Sequence, residues 1–167
     1  MEISIPTTSL ISMNNLVDSI NYGKMAWLVN HEISHMFDYH SDSPGYNEIS
    51  NCLNDQYNSS STSREDFCDN SAVEIVYQIL LDKLGQNGME EYPDGGYNMT
   101  NQQLFFTSYA QFWCESEQFL NDYSPKTHSH HDLRVLNPLK NSEAFAKAFN
   151  CSVGTPMNPE NKCKIWF

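Results

Sequence analysis

The stretch His31-Glu32-Ile33-Ser34-His35 constrains this chain more than any other. Its flanks carry apolar residues at helical spacing and no proline, which predicts one helix over about 17–39. Two residues four apart on such a helix lie about 40° apart around its axis. His31 and His35 therefore share a face, with Glu32 flanking them. Met25, Leu28, Val29, Ile33 and Met36 gather on the neighbouring face, so the spacing puts the histidines at the edge of the side expected to be buried.

Two imidazoles in this arrangement grip a single zinc ion, and the Glu beside the first can hold and deprotonate a water. A working zinc site needs a third protein ligand. The extended pattern HExxHxxGxxH would supply it, but Asp38 stands at its Gly position and Ser41 at its last His position. His40 is one residue out of register. The third ligand must come from elsewhere, and a second helix, predicted over about 64–84 and stopping before Gly85, offers it. Glu65 and Asp69 are four apart and share their face with Ala72, Val73, Val76 and Leu80. A carboxylate on an apolar stripe is expensive without a cation or donors. Zinc for one and a metal-bound imidazole for the other satisfy both. Asp66 reads as a first-turn acid that complements the helix dipole.

The rest of the chain reads as mainly α with little strand, in one domain over 1–167. A short extended piece is expected at Ile3 to Pro6. Residues 41–63 have the Ser, Asn and Asp content of a loop, as do residues 86–99 with three Gly and one Pro. Helices are predicted over about 101–117 and 142–149, the latter with Ser142 as N-cap. Residues 118–138 and the tail from Cys151 read as irregular. The stretch THSHHDLRV in the first of these offers His128 and Arg134 as donors to a developing oxyanion, with His130 and His131 as rivals.

The formal net charge is −12, with nine Lys and Arg against 21 Asp and Glu. There is no basic cluster, which disfavours nucleic acid and anionic membrane surfaces. No apolar run approaches the roughly 18 residues of a membrane span, and the first residues lack the pattern of a signal peptide. Five cysteines and the sequons at Asn58, Asn98 and Asn150 nevertheless suit an extracellular protein. The odd count leaves at least one thiol unpaired within the chain. Secretory features without a secretory signal suggest a fragment.

Several blocks resemble the C-terminal catalytic part of the neprilysin and endothelin-converting enzyme family of zinc metallopeptidases. They are NYGKMAWLVNHEISHMFD, REDFCDNS, QLFFTSYAQFWC, THSHHDLRVLNPLKNSEAFAKAFNC and GTPMNPENKCKIW. Together they cover nearly the whole chain. The resemblance implies a zincin-type domain with an HExxH helix and an ExxxD helix, binding one zinc ion through His31, His35 and Glu65. It implies Glu32 as general base and Asp69 as the carboxylate behind the site, often described as a proton donor. His128 aligns with the intermediate-stabilising histidine and Arg134 with the arginine that contacts the substrate carbonyl. It further implies cleavage of short peptides beside hydrophobic residues, by a secreted or membrane-anchored ectoenzyme. Cys52 and Cys163 match a bridged pair, and Cys114 and Cys151 match cysteines that bridge to an N-terminal domain absent here. Without those partners they are expected to be free or bridged to each other.

The chain also departs from the family. It begins after the substrate-binding strand. Asn30 and Ser71-Ala72 replace glycines, Cys68 replaces an Ala, and the link from Tyr57 to Glu65 is short. These departures motivate a second reading, a non-catalytic secreted domain that keeps the fold and the metal.

Overall fold

The computed structural model describes residues 17–38, 44–114 and 127–166. Helix α1 is Asp18–Asn21 and runs through a π-helical turn, Tyr22–Ala26, into α2, Trp27–Asp38. Then come α3 (Pro44–Tyr57), α4 (Ser63–Glu90), α5 (Asn101–Phe112), α6 (His131–Asn141) and α7 (Glu143–Ala148). Among the described residues there is no strand, and one isolated bridge joins Thr155 to Asn158. The segment at Ile3 to Pro6, with His40 and Ser41, lies outside the described residues.

The long helix expected over 17–39 is present, with the π turn inside it. That turn carries Gly23 against the backbone of α5. A Cβ there would lie 2.4 Å from the Phe105 carbonyl oxygen, so only glycine lets the two helices approach this closely. The helix expected over 64–84 starts at Ser63 and breaks at Gly85, whose φ of 71° and ψ of 165° are non-helical, before a short helical continuation to Glu90. At the start of α5, Thr100 and Gln103 form a reciprocal capping box. Ser142 caps α7 as expected, accepting from the Phe145 N–H at 3.2 Å.

Two expected loops are helices instead. In α3, Tyr46, Ile49, Leu53 and Tyr57 recur at helical spacing within a polar composition, and proline occupies the first position, where it lacks nothing a helix needs. Leu53 and Tyr57 pack with Phe67, Cys68 and Ile165, and the Cys52–Cys163 disulfide ties α3 to the tail. The second correction is α6, expected to be irregular. It contains Pro138, which cannot donate to the carbonyl of Arg134. The Tyr109 hydroxyl donates to that carbonyl instead, so the proline leaves no orphan acceptor.

A third correction concerns α2. Only the later part of the expected apolar face is outer: Ile33 is 37 % exposed and Met36 58 %, whereas Met25 is buried and Leu28 packs against the main core. His31, Ser34 and Asp38 point inward. The reason is the partner. Helix α2 packs most extensively on α4, which presents carboxylates and small side chains there. The main core lies where the start of α2 meets α4 and α5, with Trp27, Val76, Leu80, Phe105, Phe106 and Tyr109 buried together.

Gly23→Ala is expected to lower stability by about 1–3 kcal/mol, because the added methyl must push the π turn and α5 apart. Urea denaturation followed by far-ultraviolet circular dichroism measures it. An unchanged midpoint would show that the helices are not in contact at this point.

Candidate metal centre

Helix α2 supplies His31 and His35, and α4 supplies Glu65 and Asp69. The segment before α6 supplies His128, and α6 supplies Arg134. Glu65 Oε2 is the focus. It lies 3.1 Å from His31 Nε2, 3.4 Å from His35 Nε2 and 3.1 Å from His128 Nε2. The ligand atoms of His31, His35 and Glu65 all lie within 4.8 Å of one another. Tetrahedral coordination with zinc–nitrogen and zinc–oxygen bonds near 2 Å puts ligand atoms about 3.3 Å apart, so the donor set is already close to the size a zinc ion requires.

Hydrogen-bond chemistry points the same way. His35 Nδ1 bonds Asp38 Oδ2 at 2.7 Å. His31 Nδ1 lies 2.8 Å from Asp69 Oδ1, in a contact bent away from a straight hydrogen bond. When each Nδ1 carries its proton toward a carboxylate, each neutral ring presents a lone pair at Nε2. Both lone pairs then face one carboxylate oxygen, and acceptors cannot bond to each other. A cation must lie among them, either protons on the rings or a metal ion.

The titration of the metal-free site reflects this crowding. Burial disfavours charge on His31, but Asp69 and Glu65 outweigh it and raise its pKa to about 9. Burial by itself would raise Glu65, yet the hydrogen bonds from His128, His31 and His35 hold it far below the usual carboxylate range. For Asp69 the burial penalty is overcome by Arg134. Arg134 donates from Nε at 2.6 Å and from Nη2 at 2.8 Å in a two-pronged pair. The Trp113 ring lies 4.2 Å from the guanidinium on another side.

Glu32 is partly exposed beside His31. His130 pairs with exposed Asp132 at 3.0 Å, and His131 packs against Trp113, so neither rival of His128 reaches Glu65 in this way. Asp66 does more than complement the helix dipole. It is buried and accepts from Thr62 at 2.7 Å, and burial lifts its pKa to about 6. Two residues escaped sequence reasoning. Asp38 is 1 % exposed and joins His35 to Arg64. Its position three residues after His35, one turn along the same face, was the available signal. Cys68 was noticed only as a departure, yet its Sγ lies 3.3 Å from His35 Nδ1. The glycine replacements are accommodated. Ser71 meets the Ser34 hydroxyl and the Trp166 indole N–H, each at 3.1 Å. Cys114 and Cys151 are both free, hence not bridged to each other.

Metal loading must displace the proton that His31 holds below a pH of about 9. Apparent zinc affinity is therefore expected to climb with pH, by up to about tenfold per unit where His31 alone holds a proton, and to level off near 9. The climb is steeper at lower pH, where His35, also raised by Glu65, holds a proton too. Competition with a chromophoric chelator across pH 6–10 measures it, and a flat profile would contradict the assignment of His31. Separately, Arg134→Met leaves Asp69 buried without its strongest partner and is expected to cost about 3–5 kcal/mol in urea denaturation.

The sequence profile of peptidase family M13 matches residues 43–165, a span that holds Glu65, Asp69, His128 and Arg134. Membrane metallo-endopeptidase-like 1 of Homo sapiens is 31 % identical over 89 % of this chain and 23 % of its own length. Neprilysin-3 of Drosophila melanogaster is 31 % identical over 95 % of this chain, a span that takes in the HExxH helix, and 24 % of its own. Among solved structures, the Haemonchus galactose containing glycoprotein complex shares the fold. Its TM-score is 0.75 at 23 % identity, over 91 % of this chain and 30 % of that one. The chain thus spans about a quarter of the length of the curated relatives it matches. It belongs to peptidase family M13, the neprilysin family, as a partial domain.

Proposed function

We propose that this chain carries the catalytic centre of a zinc metalloendopeptidase that hydrolyses short peptides, with one zinc ion held by His31, His35 and Glu65. The observation that carries the reading is the convergence of two Nε2 lone pairs and a carboxylate oxygen at 3.1 and 3.4 Å. When bound, the zinc polarises a substrate carbonyl and makes water a stronger acid. Glu32 takes the proton of the attacking water and delivers it to the departing amine. His128 reaches the centre from the segment before α6 and donates to the oxyanion as it forms. Arg134 acts beside it, its remaining amino group directed to the substrate carbonyl while its other donors hold Asp69. Asp69 is a fully buried, ion-paired carboxylate. Its part here is to orient His31 and keep that ring basic, not to give up a proton.

Membership of the family, with relatives named as neprilysins and as a membrane metallo-endopeptidase, supports the activity class. The Cys52–Cys163 disulfide suits an oxidising compartment. Asn58, Asn98 and Asn150 are all exposed, as N-glycan acceptors must be. We therefore place the protein outside the cell, as a secreted or membrane-anchored ectodomain. No helix among the described residues is long and apolar enough to cross a membrane. Nucleic acid has no part in this reading.

A second reading, a non-catalytic domain that keeps the metal, draws on the open apolar groove along α2. Tyr22, Met25, Val29, Ile33, Val76 and Ile79 line it, and no other described element covers it. One pair of measurements separates the two. Zinc content and cleavage of a short peptide with a hydrophobic residue after the scissile bond are followed for the chain and for Glu32→Gln. The first reading expects one zinc in both and a loss of turnover of about 10²–10⁴-fold in the variant. Zinc without any turnover in either would establish the second reading.

A further inference from the structure

Behind the proposed centre lies a second group of metal-binding atoms. His35 Nδ1, Asp38 Oδ2 and Cys68 Sγ converge, with nitrogen–oxygen, nitrogen–sulfur and oxygen–sulfur distances of 2.7, 3.3 and 4.0 Å. Bonds of about 2.0 Å to nitrogen and oxygen and 2.3 Å to sulfur in a tetrahedron require separations of about 3.3–3.5 Å. Each observed distance is within about 0.6 Å of that target, and a turn of the Asp38 carboxylate alone opens the shortest and alters the longest. Orienting His35 needs only Asp38. The sulfur is surplus to that task, yet it is buried at zero exposure and aimed at the same nitrogen. Asp38 keeps its other oxygen on Arg64, 2.9 Å away, and the Arg64 side chain is 54 % exposed. The cluster is thus one movable side chain from solvent.

We propose that His35, Asp38 and Cys68 form a second metal site, for a thiophilic divalent cation such as cadmium or excess zinc, on the far side of the His35 ring. Thiolate selects soft and borderline metals over calcium and magnesium. Coordination releases the Cys68 S–H proton to solvent. The His35 Nδ1 proton moves to Nε2 while the front site is empty, and leaves to solvent, making the ring an imidazolate, when the front site is filled as well. The imidazole then bridges two cations, one at each nitrogen. Filling the rear site removes the hydrogen bond from His35 to Asp38 and draws electron density from Nε2, so the two sites oppose each other, and by linkage each weakens the other equally. Only this coupling rests on the zinc reading above. The three rear donors are in place without it.

Cadmium titration of the metal-free chain, with its disulfide intact, tests the proposal. Bound cadmium is counted by mass spectrometry under native conditions, and the thiolate-to-cadmium charge-transfer band is read in the ultraviolet. The chain is compared with Cys68→Ala, so that Cys114 and Cys151 contribute equally to both. The chain is expected to bind one ion more than Cys68→Ala, with a difference spectrum that shows the band. Cys68→Ser, which keeps a polar hydroxyl in the same space, should behave like Cys68→Ala and so guards against loss of fold. A variant carrying His31→Ala and Glu65→Gln should bind one ion fewer than the parent chain and keep the band. If that variant binds as many ions as the parent chain, the front zinc centre fails while the rear site stands. If Cys68→Ala binds as many ions as the parent chain, or the difference spectrum is blank, the rear site is overturned.

Discussion

One fully buried carboxylate ties the functional half of this molecule together. Asp69 has no solvent exposure, accepts two hydrogen bonds from Arg134 of α6 and faces His31 of α2. Stripping a carboxylate of water costs several kcal/mol, and only well-placed opposite charge offsets it. The geometry of α2, α4 and α6 is therefore fixed by what Asp69 requires. The same requirement extends to the metal. Glu32, Glu65 and Asp69 bring three formal negative charges to the site and Arg134 brings one positive charge. A divalent cation makes the sum zero, whereas in its absence protons on the imidazoles must do so.

The interface between α2 and α4 inverts the usual pattern of an amphipathic helix. Past Trp27, which joins the apolar core, the buried side chains of α2 are polar and meet polar partners: Ser34 with Ser71, Asp38 with His35 and Arg64, His31 with Asp69 and Glu65. Small residues let the helices come close enough for these bonds. Ser71 and Ala72 are both fully buried, and the Ser71 hydroxyl serves two neighbours at once. A buried hydroxyl with partners on both sides is tolerated where one without them would not be. Side chains where the family has glycine thus fit the interface without opening it.

The site was more legible in the sequence than the fold around it. His31 and His35 are marked by their spacing on one helix, the Glu65 and Asp69 pair by the cost of carboxylates on an apolar stripe, and the choice of Glu65 as the ligand by the family resemblance. Helix α3 was missed because its four apolar anchors are diluted among Asn, Ser and Asp, and α6 because histidines and a proline mask its period. Neither helix forms on propensity alone. The first is held by Leu53 and by the disulfide at Cys52, the second by Arg134 in its pair with Asp69. The face of α2 was misread for a related reason. Periodicity shows which residues share a face, but the partner decides which face is buried, and α4 presents carboxylates.

Those long-range contacts also explain how the site holds its shape. The Tyr109 hydroxyl, buried in the aromatic core, bonds the Arg134 carbonyl that Pro138 leaves open. Backbone and side chain of Arg134 are then both committed, one to α5 and the other to Asp69. Asp69 in turn faces His31 Nδ1, and Asp38, anchored by Arg64, does the same for His35. Each imidazole is thereby oriented from behind before any ligand arrives, with its Nε2 turned to Glu65. Side chains ordered by folding need not be ordered again on binding, so less of the interaction energy is lost to conformational entropy. The proline and the tyrosine, neither of them a candidate ligand, are in this sense parts of the candidate site. Their contribution is invisible to any motif, because it runs through a main-chain carbonyl instead of a ligand.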